Sequence, residues 1–154
     1  MTLELPDEEV IMNIHEIILS ISGGKAGIHD SERIKAAVQR PSTYTQYTDY
    51  DLDTICALLI DSIARGHGFK DGNKRTALMT AVFTYRINRV QFNPNEQMNR
   101  DFDELVMSVV LEKPSVKEIT QKLQKVRSVH ETKGVTWKNF MQMFHNMPKH
   151  GDRL

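Results

Sequence analysis

Between His67 and Arg75 the chain gathers an imidazole, a carboxylate, a glycine–asparagine turn and two adjacent cations within nine residues. One apolar-periodic run, 52–64, precedes this stretch and a second one, 77–87, follows it. The spacing predicts a tight connection whose far end opens a helix, where unpaired backbone N–H groups and the helix dipole favour an anion. The chemistry that it indicates is the handling of a phosphate chain beside a hydroxyl that must lose a proton.

Two of these residues are candidates for the catalytic work. His67 follows a predicted helix and is suited to accept a proton, because an imidazole titrates near neutral pH. A surface or structural role is the alternative for His67. Asp71 suits Mg²⁺, which takes few oxygens from the protein and the rest from water and phosphate. A turn or N-cap aspartate is the alternative for Asp71.

The next four residues fit the binding of an anion. Gly72 and Asn73 are residue types that readily adopt positive φ, which lets successive N–H groups converge on an anion. Lys74 and Arg75 open the following helix, where cations oppose the helix dipole. That mismatch predicts an anion, an acidic partner or a ligand nearby, and an exposed solvated pair is the alternative. Arg75 is suited to bidentate phosphate contacts and Lys74 to a point charge.

The stretch from His67 to Leu78 reads HGFKDGNKRTAL and resembles the signature of the Fic/Doc family. It is similar to the Doc branch, roughly HxFxDANKRTAL. It departs from the Fic branch, roughly HPFxDGNGRxxR, at Lys74 and at Leu78. Segments 23–30, 36–41 and 63–65 also resemble Doc-like chains, so the resemblance covers about residues 3–126.

The resemblance implies a toxin of a type II toxin–antitoxin pair that inhibits translation. Its activity would be the transfer of the γ-phosphoryl group of ATP, with Mg²⁺, to a Ser or Thr hydroxyl of a translation protein such as elongation factor Tu. The implied catalytic residues are His67 as the base, Asp71 as the metal ligand, Lys74 and Arg75. The implied nucleotide-binding residues are Phe69, Gly72, Asn73, Lys74 and Arg75.

Other roles follow from the resemblance or from the residue types. Phe69 is also predicted to anchor the loop on the core. Tyr44 and Tyr47 lie where the family has a flap that docks the target segment, and they are ordinary loop aromatics otherwise. The nearest match to the inhibitory helix of Fic enzymes, Ser108 to Lys113, fails at its last position. A separate Phd-like antitoxin is therefore implied as a partner.

Two other functions remain open at this point. One is Fic-type transfer of a nucleotidyl group to a protein hydroxyl, as in a protein adenylyltransferase. Leu78 and Lys74 weigh against it, because leucine cannot hold a terminal phosphate and lysine fills the place of a glycine. The other is a non-enzymatic helical binding module with a decayed site, which the intact set of polar motif residues disfavours.

The rest of the chain predicts helices that position this loop. We expect an all-α protein: a compact Fic/Doc-type bundle with the active-site loop between two central helices. The catalytic domain would span 1–128, and 129–154 would be a C-terminal extension and not a separate domain. The second helix is predicted to begin after Asp30 as its N-cap and to end at Pro41, with residues 41–50 in a loop or short hairpin.

A last apolar set indicates a short terminal helix. It would either cover the core or form a partner surface. Its members are Trp137, Phe140, Met141, Phe144 and Met147.

Composition narrows the class of protein. The 154 residues fit one domain, and 20 basic and 20 acidic residues give no net charge, so no direct nucleic-acid binding is expected. Cys56 is alone and lies in an apolar-periodic segment, which predicts a small core residue. No apolar run approaches the roughly 18 residues of a membrane span. The acidic start of the sequence lacks the plan of a secretory signal, so we expect a cytoplasmic protein.

Overall fold

A computed structural model describes residues 2–47 and 51–146, apart from the side chains of residues 46, 47 and 146. Within these ranges the chain forms seven helices and one pair of two-residue strands, which confirms the predicted all-α class. The helices are α1 Glu8–Ser22, α2 Ser31–Tyr47, α3 Leu52–Gly66, α4 Asn73–Ile87, α5 Glu96–Glu112, α6 Val116–His130 and α7 Trp137–Asn146. The strands are β1 Gln91–Phe92 and β2 Glu131–Thr132. None of the described helices is long and apolar enough to cross a membrane.

Side-chain caps fix where several helices begin, because they satisfy N–H groups that lack a partner in the first turn. Asp7, Asp51 and Asn95 each accept a hydrogen bond from the backbone N–H three residues further on. Ser115 and Glu118 satisfy each other's backbone N–H groups in a capping box at the start of α6. The caps divide the chain into helices whose apolar faces can pack together.

The helices α3 and α4 form the centre of the bundle, and the motif loop connects them. The helix α3 packs against α2, α4, α5 and α6, while α4 packs against α1, α3 and α5. Most positions of both helices are buried, because a helix that is surrounded by others has little solvent-facing surface. The predicted position of the loop between two central helices is therefore confirmed.

The predicted end of α2 at Pro41 is wrong, because the helix continues through this proline to Tyr47. A proline inside a helix removes one backbone hydrogen bond and crowds the preceding turn. Here Pro41 is buried, and the guanidinium of Arg40 donates to Asp61 at 2.7 Å and to Ser62 at 2.9 Å on α3. Packing and these bonds hold the helix together across the proline. Of the segment predicted as a loop or hairpin, residues 48–50 lie outside the described residues.

The tail folds back onto the bundle through α7, which packs against α1 and α5. Phe140, Met143 and Phe144 are buried in the main hydrophobic core, so of the two interpretations of the tail the structure favours core packing. Trp137 stays 55% exposed, and Met147 lies outside the described residues. The antiparallel pairing of β1 with β2, just ahead of α7, was not predicted, since two residues are too few to show alternation. The division of the chain at residue 128 stays a prediction.

Candidate active site

His67 stands at the point where α3 ends. Its backbone is left-handed, with φ 51° and ψ 40°, a conformation that is uncommon for residues other than glycine. The side chain is exposed and lines the pocket beside the loop. Backbone strain of this kind persists where the surrounding structure imposes it, often at functional sites. The geometry leaves the imidazole accessible to a substrate hydroxyl.

The motif loop is fixed by backbone hydrogen bonds to the segment between α1 and α2. The carbonyl oxygen of Gly68 accepts from the N–H groups of His29 at 2.8 Å and Asp30 at 3.0 Å, and the N–H of Lys70 donates to Gly27 at 3.0 Å. These bonds surround a single antiparallel bridge between residues 28 and 69. The position of the loop is therefore set by a segment far away in the sequence.

Two buried side chains of the loop hold it in place. Phe69 is buried and stacks on the imidazole of His15, with ring centroids 3.8 Å apart and an interplanar angle of 9°. Asn73 is buried as well, and its amide donates to the carbonyl of Phe69 at 3.0 Å and accepts from the N–H of Phe69 at 3.1 Å. Both contacts fit the predicted anchoring role of Phe69. The Asn73 side chain is occupied by the loop itself.

Gly72 supplies the start of α4. Its φ of 81° lies in the left-handed region, and it caps the helix without a side-chain hydrogen bond. A Cβ at this position would lie 3.4 Å from two ring atoms of His15. That separation is an ordinary van der Waals contact, so glycine is required here by the left-handed turn and not by lack of space.

Asp71 is held by backbone groups on both of its carboxylate oxygens. One oxygen accepts from the N–H of Gly72 at 2.8 Å and the other from the N–H of Lys25 at 3.0 Å. The carbonyl of Asp71 accepts a hydrogen bond from Nε2 of His15 at 2.7 Å. The carboxylate remains 21% exposed. It is thus oriented by the fold and still reachable from solvent.

Arg75 points toward the end of α1. It is 6% exposed, and its guanidinium donates to the hydroxyl of Ser22 and, at 3.0 Å, to the carbonyl of Gly23. Another guanidinium nitrogen lies 3.8 Å from the carboxylate of Asp71. Gly23 is the C-cap of α1, where a cation is favoured by the dipole. The cation at the start of α4 therefore stabilises the end of another helix.

The pocket beside the loop has a volume of about 470 Å³, within the range of small-molecule sites. Its basic lining residues are Lys25, His29, His67, Lys70 and Lys74, and the others are Ala64, Phe69, Asn73 and Val110. Among the described residues no carboxylate lines it. The pocket thus offers positive charge and a candidate base to an anionic ligand.

The predicted site residues divide between this pocket and its support. His67, Phe69, Asn73 and Lys74 line the pocket. Asp71, Gly72 and Arg75 form the turn and its bracing beside it. Tyr44, on α2, is partly buried and packs against the core. The side chain of Tyr47 lies outside the described residues.

Several residues of the site were not predicted from the sequence. Lys25, His29, Lys70 and Val110 line the pocket, and His15 supports the loop from α1. The glycine-rich run 23–27 was the available signal, since three of its glycines have positive φ and let the chain approach the loop closely. Only long-range packing reveals which side chains it contributes.

The described residues place too few donor side chains together to bind a metal ion by themselves. The described ranges contain no group of three or more His, Cys, Asp or Glu side chains that could hold an ion. Asp71 is a single accessible carboxylate in the turn. This set fits Mg²⁺ that is coordinated mainly by phosphate and water, because such sites need one or two carboxylates from the protein.

Sequence comparison finds one matching family model and two similar curated proteins. The family model described as "Fic/DOC family" matches residues 5–84, more than half of the chain and including the whole motif loop. "Protein kinase doc" of Escherichia phage P1 is 37% identical over 84 residues, which cover 54% of this chain and 67% of that protein. "Toxin Doc" of Mycolicibacterium smegmatis is 37% identical over 87 residues, which cover 53% of this chain and 64% of that toxin, slightly less than two thirds. On these matches, the chain belongs to the Fic/DOC family, with relatives among the Doc toxins.

Proposed function

We propose that this protein is a Doc-like toxin that transfers the γ-phosphoryl group of ATP to a Ser or Thr hydroxyl of a translation protein, such as elongation factor Tu. The observation that carries the proposal is the position of His67, which lines a basic pocket at the N-terminus of α4. A base and an anion site in one pocket suit phosphoryl transfer, which depends mainly on positioning and charge neutralisation.

The side chains divide this work between them. His67 would accept the proton of the attacking hydroxyl, because its imidazole is exposed to the pocket. Lys74 and the first N–H groups of α4 would bind the phosphates. Arg75 would act indirectly, because its guanidinium holds Asp71 and the end of α1 in place. Gly72, Asn73 and Phe69 would keep this arrangement rigid.

Mg²⁺ would be held by Asp71 together with the phosphates. When bound, the ion would neutralise charge on the transferred group. The part of Asp71 is to present a fixed carboxylate, which the N–H groups of Gly72 and Lys25 orient. Removal of Mg²⁺ by a chelator is therefore expected to abolish transfer.

The direct test is label transfer from γ-labelled ATP to purified elongation factor Tu. We expect His67→Ala to lower the rate by about 10²–10⁴-fold, the usual contribution of a general base. His145→Ala is the matched control, since His145 is an exposed residue of α7 far along the chain from the loop. Equal label transfer by the parent and His67→Ala would contradict the assignment of the base.

Nucleotidyl transfer is the second candidate, and α-labelled ATP separates it from the first. Only nucleotidyl transfer would carry that label to the target. Leu78 is buried one turn into α4, so this turn presents an apolar side chain where a second phosphate-binding cation would be needed. We therefore expect no transfer of the α label. A protein that binds no Mg·nucleotide in calorimetry would instead be a binding module.

The proposal includes two further expectations from the family relationship. A Phd-like antitoxin would bind the toxin and restrain it, and the toxin would act in the cytoplasm, where its target is found. Expression of the chain alone is expected to stop growth, whereas His67→Ala is expected to be tolerated. Growth arrest by both variants would contradict toxicity through catalysis.

A further inference from the structure

The pocket beside His67 has further basic lining residues, which do not belong to the N-terminus of α4. Lys25 and His29 come from the segment between α1 and α2, and Lys70 comes from the middle of the motif loop. All three side chains are exposed and line the pocket. We call these three residues the second cationic wall, to distinguish them from Lys74.

Each member of the second cationic wall is fixed through its own backbone N–H. Lys25 donates to the carboxylate of Asp71 at 3.0 Å, His29 to the carbonyl of Gly68 at 2.8 Å, and Lys70 to the carbonyl of Gly27 at 3.0 Å. All three bonds cross between the upstream segment and the motif loop. The backbones that carry the cations are therefore held in place before any ligand arrives, which is what effective charge stabilisation requires.

The path of the Lys70 side chain is also defined. A Cβ on Gly27 would lie 3.1 Å from Cδ, 3.3 Å from Cε and 3.4 Å from Nζ of Lys70. The aliphatic stem therefore runs across the glycine, whose φ is +117°. A larger residue at position 27 would displace the ammonium group.

These cations lack the counter-charges that they would need for a structural role. Lys25 and Lys70 form no ion pair with a carboxylate side chain among the described residues, and no Asp or Glu from those residues lines the pocket. Gathering like charges is unfavourable unless an anion compensates them. The arrangement therefore suits an anion of high charge.

We propose that the second cationic wall binds the phosphate chain of the nucleotide together with the N-terminus of α4. The inference rests on the proposed function for the identity of the ligand, and it adds the residues that would set selectivity for a triphosphate. Two lysines beyond Lys74 would make the affinity increase with the number of phosphates, because each further charge meets a further cation.

The test measures binding of inorganic tripolyphosphate by calorimetry, which is independent of any transfer activity. The double variant Lys25→Met with Lys70→Met is expected to bind at least about tenfold more weakly, the loss of about one charge-assisted hydrogen bond. The matched control is Lys117→Met with Lys138→Met, two exposed lysines on α6 and α7. It removes the same charge and is expected to change affinity less than about twofold.

Variants that retain the charge show whether weaker binding by the Met pair comes from the lost charges or from misfolding. Lys25→Arg with Lys70→Arg is expected to keep most of the affinity, and the difference between the Met and Arg pairs should shrink at high salt. Equal tripolyphosphate binding by the parent and the Met pair would overturn the second cationic wall while leaving phosphoryl transfer possible. If the Met pair binds tripolyphosphate more weakly but the parent transfers neither the α nor the γ label of ATP, the second cationic wall is supported and the proposed function is overturned.

Discussion

The motif loop and the junction of α3, α4 and α6 both concentrate charged side chains, and they treat them differently. At the junction, the carboxylate of Asp53 accepts a hydrogen bond from the hydroxyl of Tyr85 at 2.7 Å and faces the guanidinium of Arg127 at 3.3 Å. Arg127 also pairs with Glu131 at 3.1 Å. Every charge of this cluster, which we call the Asp53 network, has a partner of opposite sign or a strong donor.

Titration properties reflect that arrangement. Burial raises the pKa of the Tyr85 hydroxyl far above its ordinary value, so tyrosine remains a neutral donor to Asp53. Burial alone would lower the pKa of Arg127, but the attractions of Asp53 and Glu131 and the hydrogen bonds to both carboxylates together outweigh it, and the pKa is raised. Cys56, buried in the same region, has its thiol pKa raised by burial and is inert as a nucleophile. The Asp53 network is therefore built for stability.

The pocket beside the motif loop differs from the Asp53 network in how its charges are paired. Lys25 and Lys70 face it without a carboxylate partner among the residues that the structure describes. Charges that are paired within the fold compensate each other, and removing one partner destabilises the fold, whereas charges without a carboxylate partner remain available to a ligand. Pairing, more than the number of charges, thus separates a structural cluster from a binding site in this molecule.

The largest effect on stability is expected from breaking the Asp53 network. Asp53→Ala would remove the acceptor of Tyr85 and leave Arg127 without its inner partner, at a cost of about 2–4 kcal/mol. The lower part of that range reflects the 30% exposure of Arg127, which regains some hydration. Chemical denaturation would measure the free energy of unfolding.

The control for this change is Glu16→Ala, at an exposed position of α1, which should stay within about 0.5 kcal/mol of the parent. Below the unfolding transition, Asp53→Ala should bind tripolyphosphate as the parent does. A loss of affinity in the folded variant would show that the two regions are coupled, and the comparison would then fail.

A smaller loss is expected from Gly24→Ala, which acts on the motif region. Gly24 has φ +126°, and a Cβ there would lie 2.7 Å from the carboxylate of Asp71 and 3.0 Å from the guanidinium of Arg75. Strain and the forced shift together should cost about 1–3 kcal/mol and displace Lys25. Thermal unfolding and tripolyphosphate calorimetry would measure both effects.

Gly134→Ala provides the comparison, because Gly134 has φ +75° and open space around the added Cβ. It should cost about 1 kcal/mol from backbone strain and leave the affinity for tripolyphosphate unchanged. Equal effects of the two substitutions on affinity would mean that the segment before α2 does not shape the pocket.

The smallest effect concerns the pair formed by Asp101 and His130, where Nε2 of the buried imidazole lies 2.6 Å from the carboxylate. The hydrogen bond from His130 lowers the pKa of Asp101 below its ordinary value. A lowered pKa stabilises the fold above the unfolded value of about 4, and this contribution disappears as pH falls through the folded pKa.

Asp101→Asn should therefore be less stable than the parent at pH 7, by less than about 1 kcal/mol, since the carboxylate is partly exposed. The gap in melting temperature should close as the pH falls below about 4. Glu104→Gln, at an exposed position on the same helix, serves as the control. A gap that stays constant down to low pH would exclude the ionised carboxylate of Asp101 as its cause.

Helical periodicity was enough to predict the all-α fold and a connection between two helices at the motif, and the family resemblance implied that these two helices are central. The predictions were wrong or incomplete where tertiary contacts override the conformational preference of the local sequence. Pro41 lies inside α2 because burial and the bonds of Arg40 to α3 outweigh its helix-breaking effect. Met143 was not assigned to the core, although it lies on the buried face of α7.

For the candidate site, the sequence predicted residue types better than it predicted their directions. His67 and Lys74 line the pocket, and their roles in it stay predictions. Arg75, predicted in the phosphate cradle, contacts the end of α1, because the C-cap carbonyl of Gly23 lies within its reach. Lys25 and His29 were not predicted in the site, since nothing local signals backbone pairing with a loop so distant in sequence.

The pairing of residues 27–30 with 68–70 also has a consequence for protein engineering. A motif loop transplanted alone into another helical scaffold would arrive without the carbonyl and N–H groups that hold its shape. The smallest portable unit is therefore the continuous stretch from α1 through α4, residues 8–87. Chimeras that exchange this stretch as a whole would carry the motif loop together with the segment that holds it.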